Sequence, residues 1–284
     1  MQGRIIRQIS NDYTVELDNN EKVVCKARGK FRNLNISPLV GDMVEIDYDN
    51  RYILNIFDRK NELIRPTIAN VDQAVIITSV HIPNFSSNLL DKLIVTIEFN
   101  NIKPIICFTK LDLIDDNYRK EIDFYIDYYR SIGYDVYLNT DESIKNIFKD
   151  KVTVFAGQSG AGKSTLLNKL DSSLNLETGE VSNALGRGKH TTRHVELIPL
   201  LGGLVADTPG FSSLDFNGMT KEDIRDNFID FNKYRDDCEY SDCMHIKENK
   251  CAIKDMVQNE IIIKSRYDNY IKFISDKEKE INRY

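Results

Sequence analysis

One segment limits the folds open to this chain more than any other. Gly157-Gln158-Ser159-Gly160-Ala161-Gly162-Lys163-Ser164 fits G-x-x-x-x-G-K-[ST] at every fixed position. The apolar run Val152-Thr153-Val154-Phe155-Ala156 leads into it, and a helical pattern from Lys163 to Leu170 follows. A strand that turns through glycines into a helix belongs in an α/β sheet, with the loop at the strand's carboxyl end. Such glycines let backbone N–H groups curl around phosphate oxygens, and the helix N-terminus adds its positive dipole end. Lys163 is expected to reach the β- and γ-phosphates and so to serve catalysis. Ser164 is expected to ligate Mg²⁺, and Thr165 to complete the nucleotide cradle.

The surrounding pattern agrees. Gln73 to Val80 is almost continuously apolar, as expected of a strand buried on both faces. A helix is predicted from about Leu89 to Phe99, a strand over Pro104–Phe108, a helix near Tyr118 to Ile132 and a strand over Asp135–Leu138. Two further strands, Val195–Leu200 and Leu204–Ala206, follow the glycine loop. Strands alternating with helices imply crossovers and a parallel-rich sheet. Residues 1–64 read differently. Tyr13–Leu17, Lys22–Cys25 and Met43–Tyr48 partly alternate between turn signals, which suggests a small β-barrel such as an OB-fold. After Gly218 the chain becomes helical and polar, with amphipathic helices from Met256 onward. The expected division is 1–64, 65–217 and 218–284.

Phosphate binding alone does not choose a base, and an ATPase or kinase stays open on that motif. Thr109-Lys110-Leu111-Asp112 follows the strand Pro104–Phe108 and resembles the N-K-x-D guanine loop, with Thr for Asn. In such a loop the aspartate accepts from guanine N1–H and the exocyclic amine. Adenine would leave that carboxylate unpaired, a mismatch worth about 10⁴ to 10⁵ in discrimination. Asp207-Thr208-Pro209-Gly210 fits D-x-x-G, where Asp207 would hold Mg²⁺ through water and the Gly210 N–H would sense the γ-phosphate.

An ordinary GTPase runs phosphate loop, D-x-x-G, N-K-x-D; here the base loop comes first. This circular permutation, an N-terminal barrel and a C-terminal Cys/His cluster together resemble the ribosome small-subunit-dependent GTPase A (RsgA/YjeQ) family over the whole chain. Arg65-Pro66, Ala69–Gln73 and the switch-like Gly186–Thr192 and Asp207–Phe211 carry the resemblance further. It implies GTP hydrolysis to GDP, stimulated by the small ribosomal subunit, with 16S rRNA binding and a role in that subunit's maturation. Thr109 for Asn is the main departure, and the fifth GTPase loop, near Asn139-Thr140, is barely recognisable. Phe211 stands where a water-positioning Gln is usual, and a phenyl ring cannot orient water. Slow intrinsic turnover, accelerated by a partner, is therefore expected, with His190 as a candidate substitute or else a plain loop histidine. Thr191 or Thr192 is expected to ligate Mg²⁺. Because Asp207–Phe211 leads into the C-terminal region, γ-phosphate contacts there are expected to set that region's pose on the ribosome.

Cys238-x4-Cys243-x-His245-x5-Cys251 supplies three thiols and an imidazole, a set suited to one closed, structural Zn²⁺ site, and the resemblance implies the same four ligands. Cys25 and Cys107 lie in strand-like runs and read as apolar filler. Lys22 to Gly41 carries Lys22, Lys26, Arg28, Lys30 and Arg32 with Phe31 among them and no acid. That run is either a solvated loop or an RNA-contacting barrel rim; the resemblance implies the latter, with Lys26, Arg28, Lys30 and Arg32 as contacts. The net charge of −6 argues against a whole surface devoted to nucleic acid. No apolar run approaches the ~18 residues of a membrane span, so a cytoplasmic monomer without membrane contact is the default.

Overall fold

The computed structural model describes residues 1–29, 31, 36–64, 66–172, 195–206 and 216–281. Its first five strands are β1 (Gln2–Ile9), β2 (Asp12–Leu17), β3 (Lys22–Ala27), β4 (Met43–Asp47) and β5 (Tyr52–Ile56), which close a barrel in the order β1-β2-β3-β5-β4. β3 pairs with β5 in parallel, and the remaining pairs are antiparallel. This is the partly Greek-key order of an OB-fold. β1 escapes a period-2 reading because its register slips between Ile5 and Arg7, so that Ile5 and Ile6 are both buried. β5 escapes it because only Ile53 is buried.

A short hairpin, β6 (Glu62–Ile64) and β7 (Thr67–Ala69), leads to the central sheet. That sheet comprises β8 (Gln73–Ser79), β9 (Lys103–Thr109), β10 (Asp135–Leu138), β11 (Val152–Gly157), β12 (Leu197–Leu200) and β13 (Gly203–Ala206). Its order is β10-β9-β8-β11-β13-β12, parallel except for the β12–β13 hairpin. Both faces are covered, which is why the strands read as unbroken apolar runs. Ala74, Ile76, Ile106, Phe108 and Val154 pack with Leu90, Leu93, Ile94 and Ile97 of helix α1 (Ser87–Phe99), and with Ile122 and Ile126 of α2 (Asp116–Ser131). The alternate residues Val75, Ile77, Ile105, Cys107 and Phe155 pack with Leu166, Leu167 and Leu170 of α3 (Lys163–Leu170). Cys25 and Cys107 are fully buried among these apolar groups, as expected of filler, and burial pushes the Cys107 thiol up to about 12.

The C-terminal unit contains α4 (Lys221–Asp226), α5 (Ile229–Asn232), α6 (Ala252–Gln258) and α7 (Lys264–Ile281). Phe228, Phe231, Ile253, Tyr270, Phe273 and Ile274 form its core, and Val95 of α1 joins them. Helix α1 is therefore buried on two sides, one against the sheet and one against the C-terminal unit. Asp91, one turn before Val95, is the polar centre of that second contact and is fully buried. Arg266 of α7, also fully buried, bonds Asp91 and grips Asp230 of α5 at 2.8 to 3.0 Å. Tyr129 donates to Asp91 at 2.7 Å, and Tyr128 to Asp230 at 2.8 Å. The guanidinium lies 4.6 Å from the Phe228 ring centre.

Two buried carboxylates facing one cation are sustained only while that cation remains. Arg266→Ala should cost about 3–5 kcal/mol, the usual scale for stripping a partner from a buried ion pair. Urea denaturation followed by circular dichroism measures this; a loss under about 1 kcal/mol would show that the network does not hold the two units together.

Candidate functional site

The sheet's order brings the two sequence motifs to one edge. β8 lies between β9 and β11, so the strands carrying the base loop and the phosphate loop are two steps, or about 10 Å, apart. Ser79 pairs with Thr109, and Ile77 with Gly157, so both loops leave the same carboxyl edge nearly level. This is also where the connections diverge. From β8 the chain runs outward through β9 and β10, then returns to β8's other flank at β11, the kind of switch point where open α/β sheets bind ligands.

The phosphate loop has the backbone its sequence demands. Gly157 has φ 130°, and a Cβ there would lie 2.3 Å from the Ile77 carbonyl oxygen, so no side chain fits. Gly162 caps α3 with φ 102°, a left-handed conformation that glycine adopts without strain. Gln158, Ser159 and Gly160 are exposed, Ala161 is buried, and Lys163 and Ser164 are half-buried at the first turn of α3, with Thr165 exposed beyond.

The two loops are bonded directly. Thr109 is buried at the end of β9 and its hydroxyl donates to the Ala161 carbonyl at 2.6 Å. Thr109, which stands where Asn is usual, therefore braces the phosphate loop directly. Lys110, left-handed at φ 64°, extends its ammonium to the Gly160 carbonyl at 2.9 Å and also to the Ile82 carbonyl. Leu111 and Asp112 sit on the short 3₁₀ turn Leu111–Leu113, with Asp112 exposed. Lys169 of α3 donates to the Asn139 carbonyl at 2.9 Å, tying the weakly recognisable fifth loop to the phosphate-loop helix.

The Ile82 carbonyl was not legible in the sequence. It belongs to residues 80–86, the connection from β8 to α1, which Phe85 anchors on Phe108 and Tyr125 at ring distances of 5.8 and 4.8 Å. A backbone acceptor carries no sequence signature. His190, Thr191, Thr192, Asp207, Gly210 and Phe211 lie outside the described residues, as do Arg65, Lys30 and Arg32.

On the barrel, Lys26 and Arg28 are exposed, but Phe31 is only 5% exposed and packs in the core, so it offers no stacking face. The exposed aromatic beside Lys26 is its cross-strand partner Tyr52, at 41% exposure.

In the C-terminal unit, Cys238, Cys243, His245 and Cys251 converge, with their ligand atoms within 4.8 Å of one another. His245 Nδ1 lies 3.6 Å from Cys238 Sγ and 3.4 Å from Cys251 Sγ. These match the edge of about 3.6 Å of a tetrahedron built from metal–sulfur and metal–nitrogen bonds of about 2.3 and 2.1 Å. Burial pushes the Cys243 thiol up to about 12 and raises that of Cys251, so these two become thiolate ligands only when a cation joins them. Burial also lowers His245 to about 4, keeping the imidazole neutral and able to ligate. The Glu248 carboxylate accepts from the Met244, Ile246 and Lys247 N–H groups at 2.8 to 2.9 Å, and Tyr267 and Tyr270 donate to the His245 and Met244 carbonyls at 2.6 Å. The knuckle is thus held on both sides, and the four side chains can hold a metal ion.

Among the described residues no helix is long and apolar enough to cross a membrane. The chain matches the RsgA GTPase family model over residues 56–217 and the RsgA N-terminal domain over 2–52. It is 48% identical over 292 residues to the small ribosomal subunit biogenesis GTPase RsgA 2 of Oceanobacillus iheyensis, covering 100% of this chain and 99% of that one. Its fold matches the crystal structure of YloQ, a circularly permuted GTPase, with TM-score 0.84 and 42% identity, covering 98% of this chain and 95% of that one. YjeQ from Thermotoga maritima matches with TM-score 0.85 and 33% identity over 97% and 98% of the two chains. With the GTPase family model matched over more than half of the chain and relatives of this identity covered almost end to end, the chain belongs to the RsgA GTPase family.

Proposed function

We propose that this protein hydrolyses GTP to GDP and phosphate, stimulated by the small ribosomal subunit, and acts in that subunit's maturation. One observation carries the nucleotide part: Thr109 and Lys110 bond the carbonyls of Ala161 and Gly160, so a purine-reading loop and a phosphate loop form one wall. The names of its relatives, small ribosomal subunit biogenesis GTPases, support the partner. In this reading the backbone from Gly157 to Gly162 cradles the phosphates, Lys163 neutralises charge developing on them, and Thr165 closes the cradle. Leu111 and Asp112 complete the guanine site with Thr109 and Lys110. When bound, Mg²⁺ would neutralise phosphate charge, with Ser164 and Thr191 or Thr192 as its ligands and Asp207 holding it through water; the Gly210 N–H would sense the γ-phosphate. His190 orients the attacking water.

Zn²⁺ is the metal the knuckle suits, since a closed Cys3His set leaves no position for substrate and so implies structure. Residues 1–64, 65–217 and 218–284 act as barrel, GTPase and zinc-binding units. The barrel contacts 16S rRNA through Lys26, Arg28, Lys30 and Arg32, with the exposure of Tyr52 beside Lys26 in support.

Hydrolysis of GTP with and without purified small subunits tests the central claim. Stimulation is expected for the wild type. Lys163→Ala should lower the stimulated rate about 10²- to 10³-fold, and His190→Ala about a hundredfold. No response to the subunit refutes the partner; an unchanged His190→Ala rate removes that residue from the mechanism. Asp112→Asn should shift relative affinity from GTP toward XTP by about 10⁴, because the amide donates where the carboxylate accepted. An unshifted ratio excludes Asp112 from base reading. Elemental analysis of the purified chain should find one zinc per molecule, with Cys251→Ser well below one; stoichiometric iron or no metal would refute the zinc assignment.

A further inference from the structure

Among the described residues, Asn269 of the C-terminal unit bonds the first residues of α1, the helix that follows the connection beside the nucleotide wall. Asn269, three residues and so about one turn beyond Arg266 on α7, is only 8% exposed. Its carbonyl oxygen accepts from Asn88 at 2.9 Å, and its amide donates to Asp91 at 2.7 Å and toward the Ser87 hydroxyl at 3.4 Å. All three partners lie in the first turn and a half of α1. Ser86, whose hydroxyl caps that helix by accepting from the Leu89 N–H, ends the 80–86 connection. The connection carries the Ile82 carbonyl that holds Lys110, and the Pro83 ring stands beside Gly160 of the phosphate loop. The opposite side of the connection rests on the apolar Phe85 contacts. Asn269 is thus the polar anchor and Phe85 the apolar one.

We propose that Asn269 is a positioning residue for guanine binding: from the C-terminal unit it fixes the start of α1, and through residues 80–86 it fixes the acceptor that orients Lys110. The inference rests on the reading that Lys110 and the phosphate loop hold the nucleotide. It assigns the C-terminal unit a place in nucleotide affinity through α1, a route separate from residues 207–215. It also gives a reason for an amide rather than an apolar residue at this position. The side chain must donate to a carboxylate and accept from an amide at once, and among uncharged side chains of this size an amide does both.

A double-mutant cycle on the full chain, reading GDP affinity, tests it. Lys110→Ala alone should weaken GDP about tenfold, and Asn269→Ala alone about fivefold, the scale on which residues touching neither ligand shift a coupled site. If Asn269 acts through Lys110, the double variant should bind GDP within about twofold of Lys110→Ala. Zinc content and melting temperature are recorded for each variant, so a general loss of structure is seen directly. Should Asn269→Ala fold poorly, Asn88→Ala removes one of the same bonds from a half-buried position and should weaken GDP about twofold, again only when Lys110 is present. Multiplying effects, or wild-type affinity in a folded Asn269→Ala, overturn the proposal while leaving the nucleotide site intact. An unweakened Lys110→Ala overturns the reading beneath it.

Discussion

Two side chains at the end of one strand join the halves of the site. The Thr109 hydroxyl and the Lys110 ammonium both donate to carbonyls of the phosphate loop, reaching over the end of β8 to do so. Carbonyls pointing out of a phosphate loop are a consequence of its N–H groups pointing in. Each must find a donor or water, and here the adjoining strand supplies two. The bonds can form because β9 and β11 flank the same neighbour and end level with it. Loop chemistry thus depends on strand order, and strand order on the two-sided burial of β8, whose seven residues are all buried.

The same logic extends outward through α1. A helix packed on a sheet usually turns its far side to water. Here that side meets another hydrophobic core, and a buried aspartate is tolerated because an arginine, a tyrosine and an asparagine converge on it. Apolar packing would have held the two units together with less desolvation cost. The ionic cluster adds direction, since Arg266 satisfies both aspartates only in one relative placement of α1, α5 and α7. The helix that covers the sheet is thereby placed by the unit that carries the metal knuckle.

How much of this was legible follows from what each feature depends on. The glycine loop was, because backbone positions closed to a Cβ leave their mark in residue identity; so was the knuckle, because only a few residue types ligate soft metals. β8 and β9 were, because burial on both faces leaves an unbroken apolar run. β1 was not, because its bulge puts Ile5 and Ile6 on the same side of the pattern. The burial of Phe31 was not legible, since an aromatic in a basic run has the same sequence whether its ring faces solvent or the core. Asn269 and the Ile82 carbonyl were invisible because one depends on a contact 181 residues away and the other on a backbone atom.

Cutting the chain elsewhere in the sheet also decides where its appendages attach. The barrel feeds β8 at its amino end, where Asp72 pairs with Lys60 and accepts from the Val152 N–H. Yet β12 runs antiparallel to β13, and its first residue, Leu197, pairs with Ala206, the last residue of β13. The residue before it, Glu196, bridges Arg7 of β1 in both backbone and side chain. The barrel is therefore tied to the sheet's outer strand as well as to the segment that leads into β8. The C-terminal unit follows β13 in sequence from the ligand edge and returns to that edge through α7 and the start of α1. The barrel thus rests on the sheet's outer strand and the C-terminal unit on the start of α1, so both flanking units bear on the domain that carries the two loops.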